Sequence, residues 1–107
     1  MDLKQYQIVL VSLDPTWGSE MKKTRPYIII SPNEMNKYLQ TIIIAPIISS
    51  AKTYPTRVAI NQDKKNSWIV VDQIRTIDRQ RIIKVLGDLN EIEIGKVKQV
   101  LRELFVD

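Results

Sequence analysis

The chain has 107 residues, 44% of them hydrophobic and 26% charged, and sixteen Lys and Arg against twelve Asp and Glu give a net charge of +4 and a pI near 9.4. That length fits one domain, residues 1–107, with a single core, and the hydrophobic share excludes a disordered chain. The absence of cysteine and histidine excludes disulfides, thiolate nucleophiles, typical zinc sites and the usual general base near neutral pH, so neither metal nor cofactor is expected and any chemistry falls to Arg, Lys, Asp, Glu, Ser, Thr or Tyr.

Tyr6 to Leu13 is rich in β-formers, with Ile8, Leu10 and Ser12 on one face and Val9, Val11 and Leu13 on the other. That predicts a strand buried on both sides of a small barrel. Leu13 to Pro26 carries Asp14-Pro15, Trp17, Gly18, Glu20 and three cations between two apolar runs. It reads as a loop, longer than a hairpin turn usually is, and long connections are functional more often than average. Tyr27 to Ile30 is a second strand, and Ser31-Pro32-Asn33-Glu34 predicts a capping box opening a short surface helix to about Tyr38. Thr41 to Ile48 is the most apolar run, and its β-branched residues favour a strand. Pro46, having no N–H to give, should mark an edge, a bulge or the strand's end.

Ser49 to Tyr54 is a polar connection, Thr56 to Ile60 a strand, Asn61 to Asn66 a charged turn that includes the solvated Lys64-Lys65 pair, and Trp68 to Val71 a strand again. Ile74 to Ile77 continues the sheet, Asp78 to Arg81 reads as one helical turn, and Ile82 to Leu86 is a last strand ending at Gly87. The period then changes. Asn90 and Glu93 can cap a helix, and Ile94, Val97, Val100, Leu101, Leu104 and Phe105 recur at three- and four-residue spacing. Short strands followed by one helix indicate a mainly β domain, a small barrel. No apolar run approaches the roughly 20 residues of a membrane span, and the first residues lack a signal-peptide layout. A cytoplasmic location with no membrane partner is expected. The basic balance suits a polyanionic partner without requiring one.

Three segments carry a resemblance. Leu13-Asp14-Pro15-Thr16, Gly18-Ser19-Glu20 and Thr24-Arg25-Pro26 in the first loop, then Ala45-Pro46 followed by Tyr54-Pro55, then Asp72-Gln73-Ile74-Arg75-Thr76-Ile77-Asp78 together resemble the MazF/PemK toxins, mRNA interferases of toxin–antitoxin systems. The resemblance implies an SH3-like barrel of the MazF/CcdB type, normally a homodimer. It also implies a sequence-selective, metal-independent endoribonuclease acting on single-stranded RNA and held in check by a cognate antitoxin with an acidic C-terminal tail. Segments of that kind order on contact and cover a long surface.

RNA supplies its own nucleophile, so a ribonuclease need only align the 2′-OH with the phosphorus, move protons and spread charge on the phosphate oxygens. The resemblance makes Arg25 a catalytic residue, and a guanidinium suits charge stabilisation or proton donation better than proton removal. The competing reading pairs Arg25 with Glu20. Where many members have threonine, two places past Pro46, this chain has Ile48, which can neither donate nor accept a proton. Ser49 is the adjacent substitute, if the backbone turns after Pro46; Thr16, Ser19 and Tyr54 are others. Asp72 matches an aspartate used by some members, although Ser19 and Val70 stand where their other catalytic residues would be, and an aspartate that merely fixes the strand's exit is the plainer reading. Thr16, Ser19, Glu20, Tyr54, Gln73 and Arg75 are candidate RNA contacts. Trp17 could stack on a base or cover the barrel's end, and Lys22, Lys23 and Lys52 add non-specific phosphate attraction. Ile48 also leaves open a member that binds RNA or antitoxin without efficient cleavage. A CcdB-like gyrase inhibitor is a third reading, disfavoured by the loop signature.

Overall fold

The computed structural model describes residues 1–13, 24–49, 54–62 and 65–107. The predicted loop from Leu13 to Pro26 and the connection after Ser49 therefore lie largely outside the described residues. The elements are β1 (Gln7–Ser12), β2 (Thr24–Ile29), α1 (Asn33–Tyr38), β3 (Thr41–Ile48), β4 (Arg57–Gln62), β5 (Lys65–Val70), β6 (Arg75–Asp78), β7 (Ile82–Asp88) and α2 (Glu91–Phe105). Short 3-10 turns precede and follow β6, at Val71–Gln73 and Arg79–Arg81. All ladders are antiparallel, in the order β4-β5-β3-β2-β1-β7, with β6 also on β3.

Alternation along each strand sends apolar side chains to both faces. One face gathers Ile8, Ile28, Ala45, Ile47, Val58, Ile60 and Ile69 under Val97 of α2. The other gathers Leu3, Val9, Val11, Tyr27, Ile29, Ile42, Ile44, Ile77 and Ile82. The double-sided burial expected of the first strand is therefore present, with Ile8 on one side and Val9 and Val11 on the other. The sheet is not a closed barrel, because among the described residues β4 and β7, at its ends, form no ladder with each other. The second face is nonetheless wrapped: β6 and β7 lie at opposite ends of the arc β6-β3-β2-β1-β7 but are joined by the three residues Arg79–Arg81, so the arc must curl until its ends approach.

Asp78 holds that connection. One of its carboxylate oxygens accepts from the Gln80 N–H at 2.8 Å and from Gln40 Nε2 at 3.0 Å. These bonds, with Arg81 and Arg79 nearby, hold its pKa below the ordinary 3.8. A lowered folded-state pKa means stability that is fully present above the ordinary aspartate value and is lost as pH falls through the folded one. The gap in urea midpoint between wild type and Asp78→Asn should therefore be open at pH 7 and close as pH drops below 3.8; a gap that widens in acid would refute this sign. Beside it, Arg79 donates to the carbonyls of Asn36 (2.7 Å), Leu39 (2.9 Å) and Met1 (3.2 Å), tying the turn to the C-terminal end of α1 and to the N-terminus.

Two local readings are corrected and one, that of Pro46, is narrowed. Ser31 does not cap α1: Pro32 is the capping residue, with no side-chain bond, and the Ser31 hydroxyl instead bonds the buried Asn36 side chain and accepts from Ile43 N–H at 3.1 Å. Asn36 Nδ2 returns to the Ser31 carbonyl at 2.8 Å, so this helix carries a buried polar anchor. Pro46 lies inside β3 rather than at its end, and of the alternatives it is the edge that applies, one flank of β3 having no ladder partner there. It is tolerated because it falls between Ile44, which pairs with Arg75 of β6, and Ile47, which pairs with Ile69 of β5; no ladder residue on that flank needs its missing N–H. The charged turn is also shorter than expected, since β4 runs to Gln62 and β5 begins at Lys65.

The C-terminal helix starts where its cap predicts. Glu93 N–H donates to Asn90 Oδ1 at 2.8 Å and Asn90 N–H to Glu93 Oε1 at 3.0 Å, a complete capping box. Glu93 is buried, and its second oxygen accepts from Asn61 N–H of β4 at 3.3 Å, so one carboxylate both caps the helix and fastens it to the sheet. Glu93→Ala should cost about 1–3 kcal/mol, read from urea denaturation; a loss below about 0.5 kcal/mol would show that the links to Asn90 and Asn61 contribute little.

Candidate active site

Arg25 lies in β2 two residues from Tyr27, on the same face. Tyr27 pairs with Pro46, so two steps further along each strand bring Arg25 level with Ile48. On the opposite flank of β3, Arg75 pairs with Ile44, and the 3-10 turn Val71–Gln73 fills the space where β3 changes partner from β6 to β5. The result is a groove of about 360 Å³ lined by Arg25, Pro26, Tyr27, Pro46, Ile47, Ile48, Gln73 and Arg75. Its charged and amide groups are two guanidiniums and the Gln73 side chain on the flanks, beside Tyr27 and over a floor of proline and isoleucine, and among the described residues the lining holds no carboxylate. Such a groove attracts an anion and can hold a planar apolar group against its floor.

Sequence reasoning named Arg25, Gln73 and Arg75 separately, and the fold brings them together although fifty residues of chain separate Arg25 from Arg75. Arg25 and Arg75 are exposed, and among the described residues no ion pair involves either. The proposed partner Glu20 lies outside the described residues, as do Thr16, Trp17, Ser19, Lys22, Lys23 and Lys52. Ile48, the departure from the expected threonine, is part of the groove lining. Ser49 follows the end of β3, where the chain bends, and is exposed; it is not part of the lining. Asp72 is exposed on the same 3-10 turn as Gln73 but also outside the lining. Tyr54 stands elsewhere, its ring 4.7 Å from the Arg57 guanidinium. Among the described residues there is no group of three or more carboxylates that could hold a metal ion, and no helix is long and apolar enough to cross a membrane.

A family model described as PemK-like, MazF-like toxin of type II toxin–antitoxin system matches residues 4–105. The chain belongs to this toxin family. Among curated proteins it is 37% identical over 106 residues to the endoribonuclease MazF of Staphylococcus epidermidis, covering 92% of this chain and 88% of that one. Among solved structures, MazF from Deinococcus radiodurans superposes with a TM-score of 0.79 at 24% identity, over 97% of this chain and 96% of that chain. A mycobacterial endoribonuclease in complex with its cognate antitoxin gives 0.81 at 20% identity, over 98% and 97%. At those identities the structural likeness speaks for the fold, which is the mainly β sheet with one C-terminal helix that the sequence predicted.

Proposed function

We propose that this toxin is an endoribonuclease that cleaves single-stranded RNA without a metal ion, and that the groove between Arg25 and Arg75 receives the scissile phosphate. The observation that carries this reading is the convergence of two exposed guanidiniums and one amide on a single depression, in a chain related to an endoribonuclease. Arg25 grips two phosphate oxygens, stabilises the charge that grows on them as the 2′-OH attacks, and can donate toward the departing 5′-oxygen. The bond to the 5′-oxygen breaks as the 2′-oxygen bonds to phosphorus, leaving a 2′,3′-cyclic phosphate. Asp72, exposed beside Gln73, is the carboxylate we assign to proton uptake. Ser49, at the bend after β3, is assigned the hydroxyl role that Ile48 leaves empty. Gln73 and Arg75 hold the neighbouring base and phosphate.

The cognate antitoxin is expected to bind the same groove through an acidic tail, since the guanidiniums of Arg25 and Arg75 suit such a segment as well as RNA. A homodimer is supported by β7, whose outer edge has no ladder partner among the described residues and whose Ile83, Val85 and Leu86 are 38%, 37% and 49% exposed. The toxin would act in the cytoplasm, where mRNA is met.

Incubation of the purified protein with a long RNA in EDTA, followed by mapping of the new ends, tests the proposal. Discrete cuts ending in a 2′,3′-cyclic phosphate or 3′-phosphate support it. Ile48 in the groove gives a second reading its footing: a member that binds RNA or antitoxin but hardly cuts. Binding without cuts in the same assay would favour that one.

A further inference from the structure

Trp68 of β5 pairs with Ile48 of β3 and, on its other side, with Ala59 of β4. Their neighbours Ile47, Ile69 and Val58 face the core under α2. Ile48, Trp68 and Ala59 consequently share the opposite face, the face of Arg25 and Pro46. A row across the sheet then reads Arg25, Ile48, Trp68, Ala59. Directly opposed side chains on neighbouring strands have Cβ atoms about 5 Å apart, so the indole, itself outside the groove's lining, adjoins Ile48 at the groove's rim. Trp68 is only partly buried, and the residue beyond it is an exposed alanine, which leaves room beside the ring. Two strand spacings, about 10 Å, separate it from Arg25. The groove is thus cationic along Arg25 and Arg75 and apolar along Ile48, with Trp68 extending the apolar surface beyond it.

We infer that Trp68 is a stacking platform for one unpaired base of the bound RNA, adjoining the phosphate held by Arg25, so that the apolar side of the groove grips a nucleobase while the cationic side grips the backbone. This rests on the reading of the groove as an RNA site. A π-face accepts any base, so the contact adds affinity and register with little sequence preference. It also gives Ile48 a use: beside an indole, an isoleucine completes an apolar slot that a hydroxyl would interrupt.

The test measures binding of a non-cleavable 2′-O-methyl oligonucleotide pool of random sequence to wild type, Trp68→Val, Trp68→Phe and Arg25→Ala. Valine keeps a β-forming apolar residue without a ring, and urea midpoints check that each variant folds. Trp68→Val should raise Kd roughly 5- to 150-fold, and Trp68→Phe should recover most of the loss. In a Trp17→Phe background Trp68 is the sole tryptophan, and its fluorescence should be quenched by the oligonucleotide but not by inorganic polyphosphate, a readout that remains if the valine variant fails to fold. Wild-type affinity in folded Trp68→Val, or fluorescence indifferent to bases, overturns the inference. If Arg25→Ala still weakens binding in that case, the RNA groove stands without its platform; if no variant differs and wild type fails to bind, the functional reading fails with it.

Discussion

Arg25→Ala is expected to lower RNA cleavage by about 10²–10³-fold, the usual cost of removing one preorganised group that stabilises transition-state charge. The fold should survive, because Arg25 is exposed near the start of β2 and an exposed substitution rarely shifts stability by more than about 0.5 kcal/mol. Arg25→Lys separates charge from geometry: an ammonium keeps the attraction but cannot hold two oxygens in a planar fork, so an intermediate rate is expected. Single-turnover cleavage at saturating enzyme isolates the chemical step from binding. A wild-type rate in folded Arg25→Ala would remove the guanidinium from the mechanism.

The second large effect runs the other way. Ile48→Thr should raise the cleavage rate at least about 10-fold, since a positioned proton-transfer group contributes typically 10²–10⁴-fold and a hydroxyl placed in this lining would share that work. Threonine keeps the β-branch that suits β3, and the open groove lets the new hydroxyl meet solvent, so the stability cost should stay near 1–2 kcal/mol. Ser49→Ala supplies the control. If Ser49 stands in for the missing hydroxyl, its loss should slow the wild-type chain about 10-fold yet scarcely affect the Ile48→Thr variant, a non-additivity that marks two groups filling one role. Equal losses in both backgrounds would show that Ser49 acts separately; no loss in either would dismiss it. An unchanged rate in Ile48→Thr would mean that this position takes no part in proton transfer.

Local chemistry made several elements legible in the sequence. The Asn90–Glu93 box, the spacing of Val97, Val100 and Leu101, and the β-branched run from Thr41 to Ile48 each depend on residues within a turn or two of one another, so they identify a capped helix and a buried strand without knowledge of the rest. Arg25, Gln73 and Arg75 were legible as candidates through a family resemblance, not through any physical pattern. Ser31 misled because its hydroxyl had a better partner than the helix end: Asn36, buried beneath β3, which no local rule could place there. Pro46 left its alternatives open for a related reason. A proline is barred from a strand interior only where the flank its N–H would face is paired, and whether it is paired is set by strands distant in sequence.

The sequence by itself determined which segments are extended, where the last helix begins, and that chemistry here must run on arginine, lysine, carboxylate and hydroxyl groups without thiol or imidazole. Only the tertiary structure decided that Arg25, Arg75 and Gln73 surround one groove, that Ile48 forms part of it, and that Trp68 lies on the same face while Ser49 lies past the strand's end. The reason is geometric. Period-two alternation tells a residue that it must choose a side, but which strands flank it, and hence what shares that side, follows from ladders between segments tens of residues apart, whose register is fixed by burying both apolar faces of the sheet at once.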